Sequence, residues 1–303
     1  MANSIAEIGR QWDRDIVPVL QAESIGRSLI PKNMKLSGKG IGNTSVKTFG
    51  YKGTAAAITD YNIRGDIADT LDVGDSQILI PIQQDMITIP RRSFEAMAEG
   101  GYAVDSDMAL DMAKKVSLEL DATFIQGWKP DGTNYEVKGL YQVAGNSHPG
   151  YDLGTYGNLI KTVAKGLQLL QEDKIYAPAY NLVIAADQYF ETVVSESTAG
   201  IEEYTKALKL LNLRAGGSQP GQILMSTDLA TGTGFMCPIA TQATMQYFDY
   251  VEAQQPKFSS FFSNGDTESG DINMRLMGAA VPRFKHLDSS SLTDPCVCKF
   301  TTL

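Results

Sequence analysis

One long amphipathic segment constrains the fold of this chain more than any other feature. Residues 104–127, VDSDMALDMAKKVSLELDATFIQG, carry an apolar side chain at every fourth position: Met108, Met112, Val116, Leu120 and Phe124. This spacing predicts one face of an α-helix, which Asp105 or Ser106 can cap and which Gly127 can end. About 22 helical residues span roughly 33 Å. Nothing in the segment is typical of catalysis. We therefore interpret it as a long structural helix in a subunit that assembles with other subunits.

Composition indicates a folded, soluble chain without a membrane anchor. The 303 residues are 43% hydrophobic and 20% charged, enough for one to three domains with a large core. No apolar run approaches the roughly 20 residues that a membrane span needs. The first residues, MANSIAEIGRQWDRDIVPVL, lack the basic start and apolar block of a signal peptide. We therefore expect synthesis in the cytoplasm.

The residues that most often carry chemistry are few and scattered. The three cysteines are Cys237, Cys296 and Cys298, an odd number without the CxxC spacing of a zinc site. His148 and His286 have no neighbouring ligand cluster in the sequence. With only these two histidines, there are few candidates for the base of a catalytic triad. The glycines of 37–45 lack the spacing of a phosphate-binding loop. The prediction is therefore no catalytic residue, no cofactor site and no metal site.

Net charge argues against tight binding of a phosphate backbone. The chain carries a formal charge of −9 and has no block of lysine or arginine. Residues 1–50, in contrast, carry seven basic and four acidic side chains. Such an arm could pair with an acidic neighbouring subunit, or its charges could simply be solvated.

The N-terminal segment predicts a short amphipathic helix. Residues 4–20 place apolar side chains three or four positions apart, at Ile5, Ile8, Trp12, Ile16 and Leu20. Pro18 comes late in the segment and is expected to end or kink the helix. The apolar stripe must be buried, either on the body of its own subunit or on a neighbour or bound partner.

Residues 31–76 predict a long two-stranded excursion with little core of its own. The segment is rich in Gly, Thr and Asp, and its short β-like runs are 46–51 and 56–61. An isolated hairpin is marginally stable in water. We therefore expect the excursion to lie against another surface, of the same chain or of another chain, with Lys47, Tyr51 and Tyr61 as candidate contacts.

The rest of the chain alternates between two kinds of pattern. Residues 77–98 predict a strand and a short helix, and 157–242 predict an α/β unit of alternating helices and buried strands. Residues 243–303 return to β patterning. The last strand of this region, CVCKFTTL at 296–303, is expected to complete a sheet begun near residues 85–90.

This order of parts resembles the Hong-Kong-97-like capsid fold of tailed viruses and of encapsulin nanocompartments. The resemblance covers about residues 45–303, and its most specific stretch is ALDMAKKVSLELDATFIQGWKPDGTNYEVKGL at 109–140. Residues 83–101 are similar to the strand and helix before the spine helix of that family. Residues 272–288 are similar to its late strand pair. The expected fold class is therefore α+β.

The resemblance implies a division of the chain into the parts of such a subunit. We expect a spine helix at about 104–127 within the peripheral domain. The implied parts are an N-terminal arm at 1–40, an extended loop at 41–76, a peripheral domain at 77–150 and 243–303, and an axial domain at 151–242. The candidate residues for contacts with other subunits are Ile5, Ile8, Trp12, Ile16, Lys47, Tyr51 and Tyr61.

The resemblance implies a structural protein and no enzyme. The leading hypothesis is a viral major capsid protein that assembles in the host cytoplasm as pentamers and hexamers of an icosahedral virion shell around double-stranded DNA, without sequence-specific binding. The chain starts almost directly with the arm, so a separate scaffold, portal or minor capsid protein could assist. An encapsulin shell around a cargo enzyme is the alternative, with the groove near the N-terminal helix as the cargo-docking site. A soluble α/β enzyme that forms a monomer or small oligomer remains a third possibility.

Overall fold

The fold was obtained as a computed structural model of the 303-residue chain. It describes these residues: 13, 25–42, 44–49, 75–93, 95, 107–195, 202–213, 220–262, 270–285 and 294–303. The chain divides into two compact units, each built from three segments. Unit 1 comprises 1–44, 79–139 and 250–282, and unit 2 comprises 45–78, 140–249 and 283–303.

The described residues form these elements. The helices are α1 Ile25–Leu29, α2 Asp107–Ile125, α3 Leu140–Val143, α4 Asn158–Glu172, α5 Ala186–Val194, α6 Glu203–Leu211 and a 3₁₀ turn Thr244–Gln246. The strands are β1 Ser45–Phe49, β2 Asp75–Leu79, β3 Ile82–Ile89, β4 Gly127–Trp128, β5 Val137–Lys138, β6 Ala144–His148, β7 Tyr180–Ala185, β8 Ile223–Ser226, β9 Gly234–Pro238, β10 Phe248–Phe262, β11 Ile272–Phe284 and β12 Asp294–Phe300.

Helix α2 is the long structural helix that the sequence predicted, and it supplies much of the core of unit 1. Its buried apolar side chains are Ala109, Met112, Ala113, Val116, Leu120, Phe124 and Ile125. Met108, which the sequence pattern placed in the same stripe, is half exposed. A strict step of four residues drifts about 40° per step around a helix of 3.6 residues per turn. The stripe therefore leaves the buried face at Met108, and Ala109 takes its place.

Gly127 lies just beyond α2, as the sequence predicted. Its φ is +103°, and a Cβ built on it would lie 2.3 Å from the carbonyl oxygen of Val137. The close approach arises because β4 and β5 pair antiparallel, with Gly127 opposite Lys138. Only a residue without a side chain fits this turn.

The sheet of unit 1 has the strand order β10-β11-β3. Strand β11 runs antiparallel to β3, with Ile272 opposite Ile89 and Ala279 opposite Ile82. Pro81 and Pro90 flank β3, which confirms that these prolines limit the strand.

Unit 2 contains a five-stranded mixed sheet in the order β6-β12-β9-β7-β8. Strand β7 is buried throughout and pairs parallel to β8 and antiparallel to β9. Helix α4 buries Leu159, Val163, Gly166, Leu167 and Leu170, the stripe that the sequence spacing predicts, together with Thr162. The predicted α/β pattern of this region is thus confirmed.

The position of the last strand corrects the sequence interpretation. Strand β12 was expected beside residues 85–90, but it lies between β6 and β9 in unit 2, and β11 pairs with β3 instead. Side chains on both faces of β12 are buried, including Val297 and Cys298. Such a strand needs neighbours and cover on both sides, and an apolar pattern alone does not tell which sheet provides them.

The two units also differ in their limits from the domains expected from the sequence. Residues 140–150, 243–249 and 283–303 belong to unit 2, together with the residues that the resemblance assigned to an axial domain. The roles of peripheral and axial domain remain predictions.

Candidate intersubunit surfaces

Of the candidate contact residues from the sequence, only Lys47 is described by the structure. Its side chain is exposed on β1, and its carbonyl oxygen accepts a hydrogen bond from Arg283 Nη1 at 3.3 Å. The other six, Ile5, Ile8, Trp12, Ile16, Tyr51 and Tyr61, lie outside the described residues. Their role in subunit contacts therefore remains a prediction.

The base of the expected excursion is a two-stranded sheet. Strands β1 and β2 pair with each other, Val46 is buried, and Gln77 donates a hydrogen bond to the hydroxyl of Ser45. Residues 50–74 lie outside the described part, so only the two ends of the excursion are defined. Those ends are side by side, as a two-stranded excursion requires.

The end of the expected N-terminal arm runs along β10 as an additional edge partner. Backbone hydrogen bonds join Asn33 N–H to the carbonyl of Tyr250 at 2.9 Å and Gly38 N–H to that of Glu252 at 2.8 Å. Gly40 N–H donates to the carbonyl of Ala253 at 2.9 Å. The arm thereby covers part of a strand edge that would otherwise expose unpaired backbone groups.

The buried carboxylate of Glu252 also anchors the N-terminal arm, through ion pairs. The side chain of Glu252 is 2% exposed and forms ion pairs with both Arg27 and Lys32. Burial, followed by the nearby charge of Arg27, lowers the pKa of Lys32. Asp13 also contacts β10, because its Oδ1 accepts a hydrogen bond from Phe258 N–H at 2.8 Å. At these residues the arm binds within its own subunit.

One face of β3 is open and partly apolar. Ile82 and Met86 are about half exposed, whereas Gln83 and Ile89 are buried. The alternation follows from the two-residue period of a strand. On the covered side, Lys115 of α2 reaches Asp85 at 3.8 Å.

Helix α5 exposes apolar residues and buries polar ones. Phe190, Val193 and Val194 are 63%, 50% and 78% exposed, whereas Gln188 and Thr192 are buried. We call the three exposed residues the α5 patch. Sequence reasoning recognised the helix but not its orientation, since the apolar spacing alone would place the patch in the core.

The described cysteines are buried, and the described histidine is hydrogen-bonded. Cys237, Cys296 and Cys298 are free and buried, and burial raises the pKa of Cys237 and of Cys298 to about 12. His148 Nδ1 accepts a hydrogen bond from Gly150 N–H at 2.9 Å. Within the described residues, no group of three or more His, Cys, Asp or Glu side chains could hold a metal ion.

A protein-family comparison matches more than half of the chain. Residues 41–214 fit the model of the family Linocin_M18, described as "Encapsulating protein for peroxidase". No curated protein sequence matches the chain.

Solved structures with a similar fold include a virus-like particle and a phage capsid. The chain is similar to the "virus-like particle from Pyrococcus furiosus", with 13% identity, a TM-score of 0.61 and coverage of 97% of this chain and 98% of that one. It is also similar to the capsid of Myoviridae phage XM1, with 12% identity, a TM-score of 0.59 and coverage of 91% and 90%. A structure from Microbacterium phage Oxtober96 gives 9% identity, a TM-score of 0.60 and coverage of 92% and 90%. The fold is therefore the Hong-Kong-97-like capsid fold, as the order of sequence elements predicted.

No helix in the described ranges combines the length and the apolar character that crossing a membrane requires.

Proposed function

The chain belongs to the Linocin_M18 family, whose members are shell proteins rather than enzymes, and from this premise we propose that its copies close into an icosahedral shell. The observation that carries the proposal is the end-to-end likeness to the Pyrococcus furiosus particle subunit, which leaves almost no part of either chain unmatched. A shell-forming protein of the capsid or encapsulin type needs surfaces that bind further copies. The half-open face of β3 and the α5 patch expose apolar side chains, which supports the proposal.

We propose double-stranded viral DNA as the content of the shell. Similar structures include a phage capsid and the capsid of a "native GTA particle", each matched over about nine-tenths of both chains. The net charge of −9 and the lack of a basic block also suit a wall that does not adhere to packaged phosphates. Such a subunit would assemble in the host cytoplasm with a portal and, where needed, a scaffold or minor capsid protein.

A cargo enzyme is the second candidate content, and one specific observation favours it. The family description names encapsulation of a peroxidase, and the match covers residues 41–214. In this case the apolar stripe of Ile5, Ile8, Trp12 and Ile16 would dock the cargo protein. The same shell would enclose either DNA or a cargo enzyme, so the two hypotheses differ only in the content.

Electron microscopy of the protein expressed alone tests assembly. We expect closed shells or tubes by negative stain and a matching large mass by light scattering. A small oligomer that stays unchanged across salt and protein concentration, even with candidate scaffold proteins present, would contradict the proposal.

The content is tested on nuclease-treated particles from the native source. DNA inside a viral shell gives an absorbance ratio typical of nucleic acid and a protected genome on a gel. Particles with a copackaged cellular enzyme and no nucleic acid would exclude the viral content and support the cargo candidate.

A further inference from the structure

The α5 patch is apolar surface on a helix whose polar side is buried. Gln188 and Thr192 lie on the inner side of α5, while Phe190, Val193 and Val194 face solvent. The three patch residues are spaced i, i+3 and i+4, so they form one continuous stripe. In a protein that works as a single chain, an amphipathic helix buries such a stripe.

A hydrogen bond from outside the helix holds α5 in this orientation. At its first turn, Asp187 Oδ2 accepts a hydrogen bond from Gly232 N–H at 3.1 Å. Farther along, the buried Thr192 Oγ1 donates to the carbonyl of Gln188 at 2.6 Å. Rotation of the helix to bury the valines would break the first bond and bring polar groups to the surface. The exposure of the patch is therefore a property of the folded subunit.

The size of the patch indicates the kind of contact that it can make. From their exposed fractions, the three side chains offer roughly 300 Å² of apolar surface, if a phenylalanine carries about 200 Å² and a valine about 150 Å². A stable two-protein interface buries about 800 Å² on each partner. The patch is thus too small to hold a dimer by itself. It suits a contact that recurs around a closed assembly, where each copy is held at several surfaces.

We propose that the α5 patch is buried against a second copy of this chain within the shell. This inference rests on the proposed function, and it assigns a specific contact surface to unit 2. Phe190 and Val194 are its main anchors, because they are the most exposed apolar residues of the helix.

Chemical labelling of a cysteine placed in the patch tests the burial directly. All three native thiols are buried, so the folded protein gives little background reaction with maleimide. We expect Val194→Cys to react readily in dissociated, refolded subunits and at least tenfold more slowly in intact shells. Met34→Cys is the matched control for intrinsic reactivity, because Met34 is also 78% exposed. Slow labelling in dissociated subunits would show that another segment of the same chain covers the patch and would overturn the proposal.

A charged substitution tests whether the contact contributes to assembly. We expect Val194→Asp to reduce the yield of shells at least tenfold, Val194→Ile to preserve it, and Met34→Asp to leave it within twofold of wild type. Circular dichroism and the urea midpoint of dissociated Val194→Asp subunits should match wild type, because the side chain is exposed.

The possible failures separate the two proposals. If wild-type protein forms no shells, the proposed function fails, and this inference fails with it. If wild-type shells form but Val194→Cys labels equally fast in shells and subunits, or Val194→Asp assembles normally, only the inference fails. Equal loss of shells in Met34→Asp would show a nonspecific effect and would also overturn it.

Discussion

Asp249 is a fully buried acid that two cations hold in place within unit 2. Arg283 donates from Nε to one carboxylate oxygen at 2.8 Å and from Nη2 to the other at 2.6 Å. Lys285 Nζ lies 2.8 Å from the second oxygen. Breaking a buried ion pair by removal of one partner is costly, because it leaves the remaining charge uncompensated in a poorly hydrated environment.

The substitution Asp249→Asn should therefore destabilise the subunit strongly. We expect a loss of about 3 kcal/mol in the free energy of unfolding, because Arg283 and Lys285 would lose their counter-charge. Urea denaturation of dissociated subunits measures it. Asp111→Asn is the control, since Asp111 pairs with Lys115 on the exposed side of α2 and should give no measurable change. Similar midpoints for the two variants would show that the buried pair does not stabilise the fold.

Gly127 permits a prediction that separates steric clash from backbone strain. Both Gly127 and Gly132 have a positive φ, but a Cβ at Gly132 would meet nothing within 4 Å. We expect Gly132→Ala to cost about 1 kcal/mol from backbone strain alone. Gly127→Ala should cost clearly more, about 3 kcal/mol or above, because its Cβ would overlap the carbonyl oxygen of Val137. Thermal and urea midpoints of the two variants give the comparison, and an equal loss would rule out the clash as the cause.

At the scale of elements, two helices take their N-terminal caps from distant acids. Asp121 of α2 accepts hydrogen bonds from the N–H groups of Ile25 and Gly26 in α1, at 2.7 and 3.1 Å. Glu203 of α6 accepts from the N–H groups of Gly157 and Ile160 at the start of α4, at 2.6 and 2.9 Å. The first N–H groups of a helix need such acceptors, and a negative charge also favours the helix dipole.

Substitution of Glu203, the residue that caps α4 from a distance, should destabilise the first turn of α4. Glu203 is fully buried, and no side-chain cap at the start of α4 itself replaces it. We expect Glu203→Gln to lower the free energy of unfolding by about 2 kcal/mol, the upper range for loss of a cap. Hydrogen exchange should show faster exchange in the first turn of α4. Glu202→Gln is the matched neighbour, because the exposed Glu202 carboxylate accepts a hydrogen bond from Thr205 at the surface, and its exchange pattern should stay that of wild type.

The helices and strands were largely predictable from the sequence, whereas the elements that each of them packs against were not. The stripe on α4 and the mainly apolar β7 are local patterns, and both elements formed as predicted. The sheet that receives β12 depends on contacts between residues far apart in sequence, so its apolar pattern fitted either sheet. Orientation of α5 was also unpredictable, because its periodicity shows that Phe190, Val193 and Val194 share a face but not which side is covered.

The candidate contact surfaces were predictable only in part. The sequence indicated an arm that must be anchored, but it gave no sign that Glu252, more than 200 residues away, would bind Arg27 and Lys32. Pairing of this kind requires the three-dimensional fold, since an isolated acid in a strand reads as a surface residue. Contacts of Ile5, Ile8, Trp12 and Ile16 stay predictions.

At the scale of the whole molecule, the order of elements was more informative than any single residue. A spine helix, an α/β unit and returning strands identified the Hong-Kong-97-like fold, although identity to the similar structures is only 9 to 13%. Packing requirements conserve such an order while side chains change, because many apolar combinations of similar volume fill the same core.

Assembly should make the stability of this chain depend on its concentration. Binding of further copies to the folded state, and not to the unfolded state, raises apparent stability by mass action, by about 2.7 kcal/mol when the partner concentration is 100 times its dissociation constant. We therefore expect the urea midpoint to be constant at low protein concentration and to rise once shells form. The assembly-deficient Val194→Asp variant should show the low, constant midpoint at every concentration. If wild-type shells are visible yet the midpoint never moves, the subunits are not stabilised by their neighbours, and the copies in the shell behave as independently folded blocks.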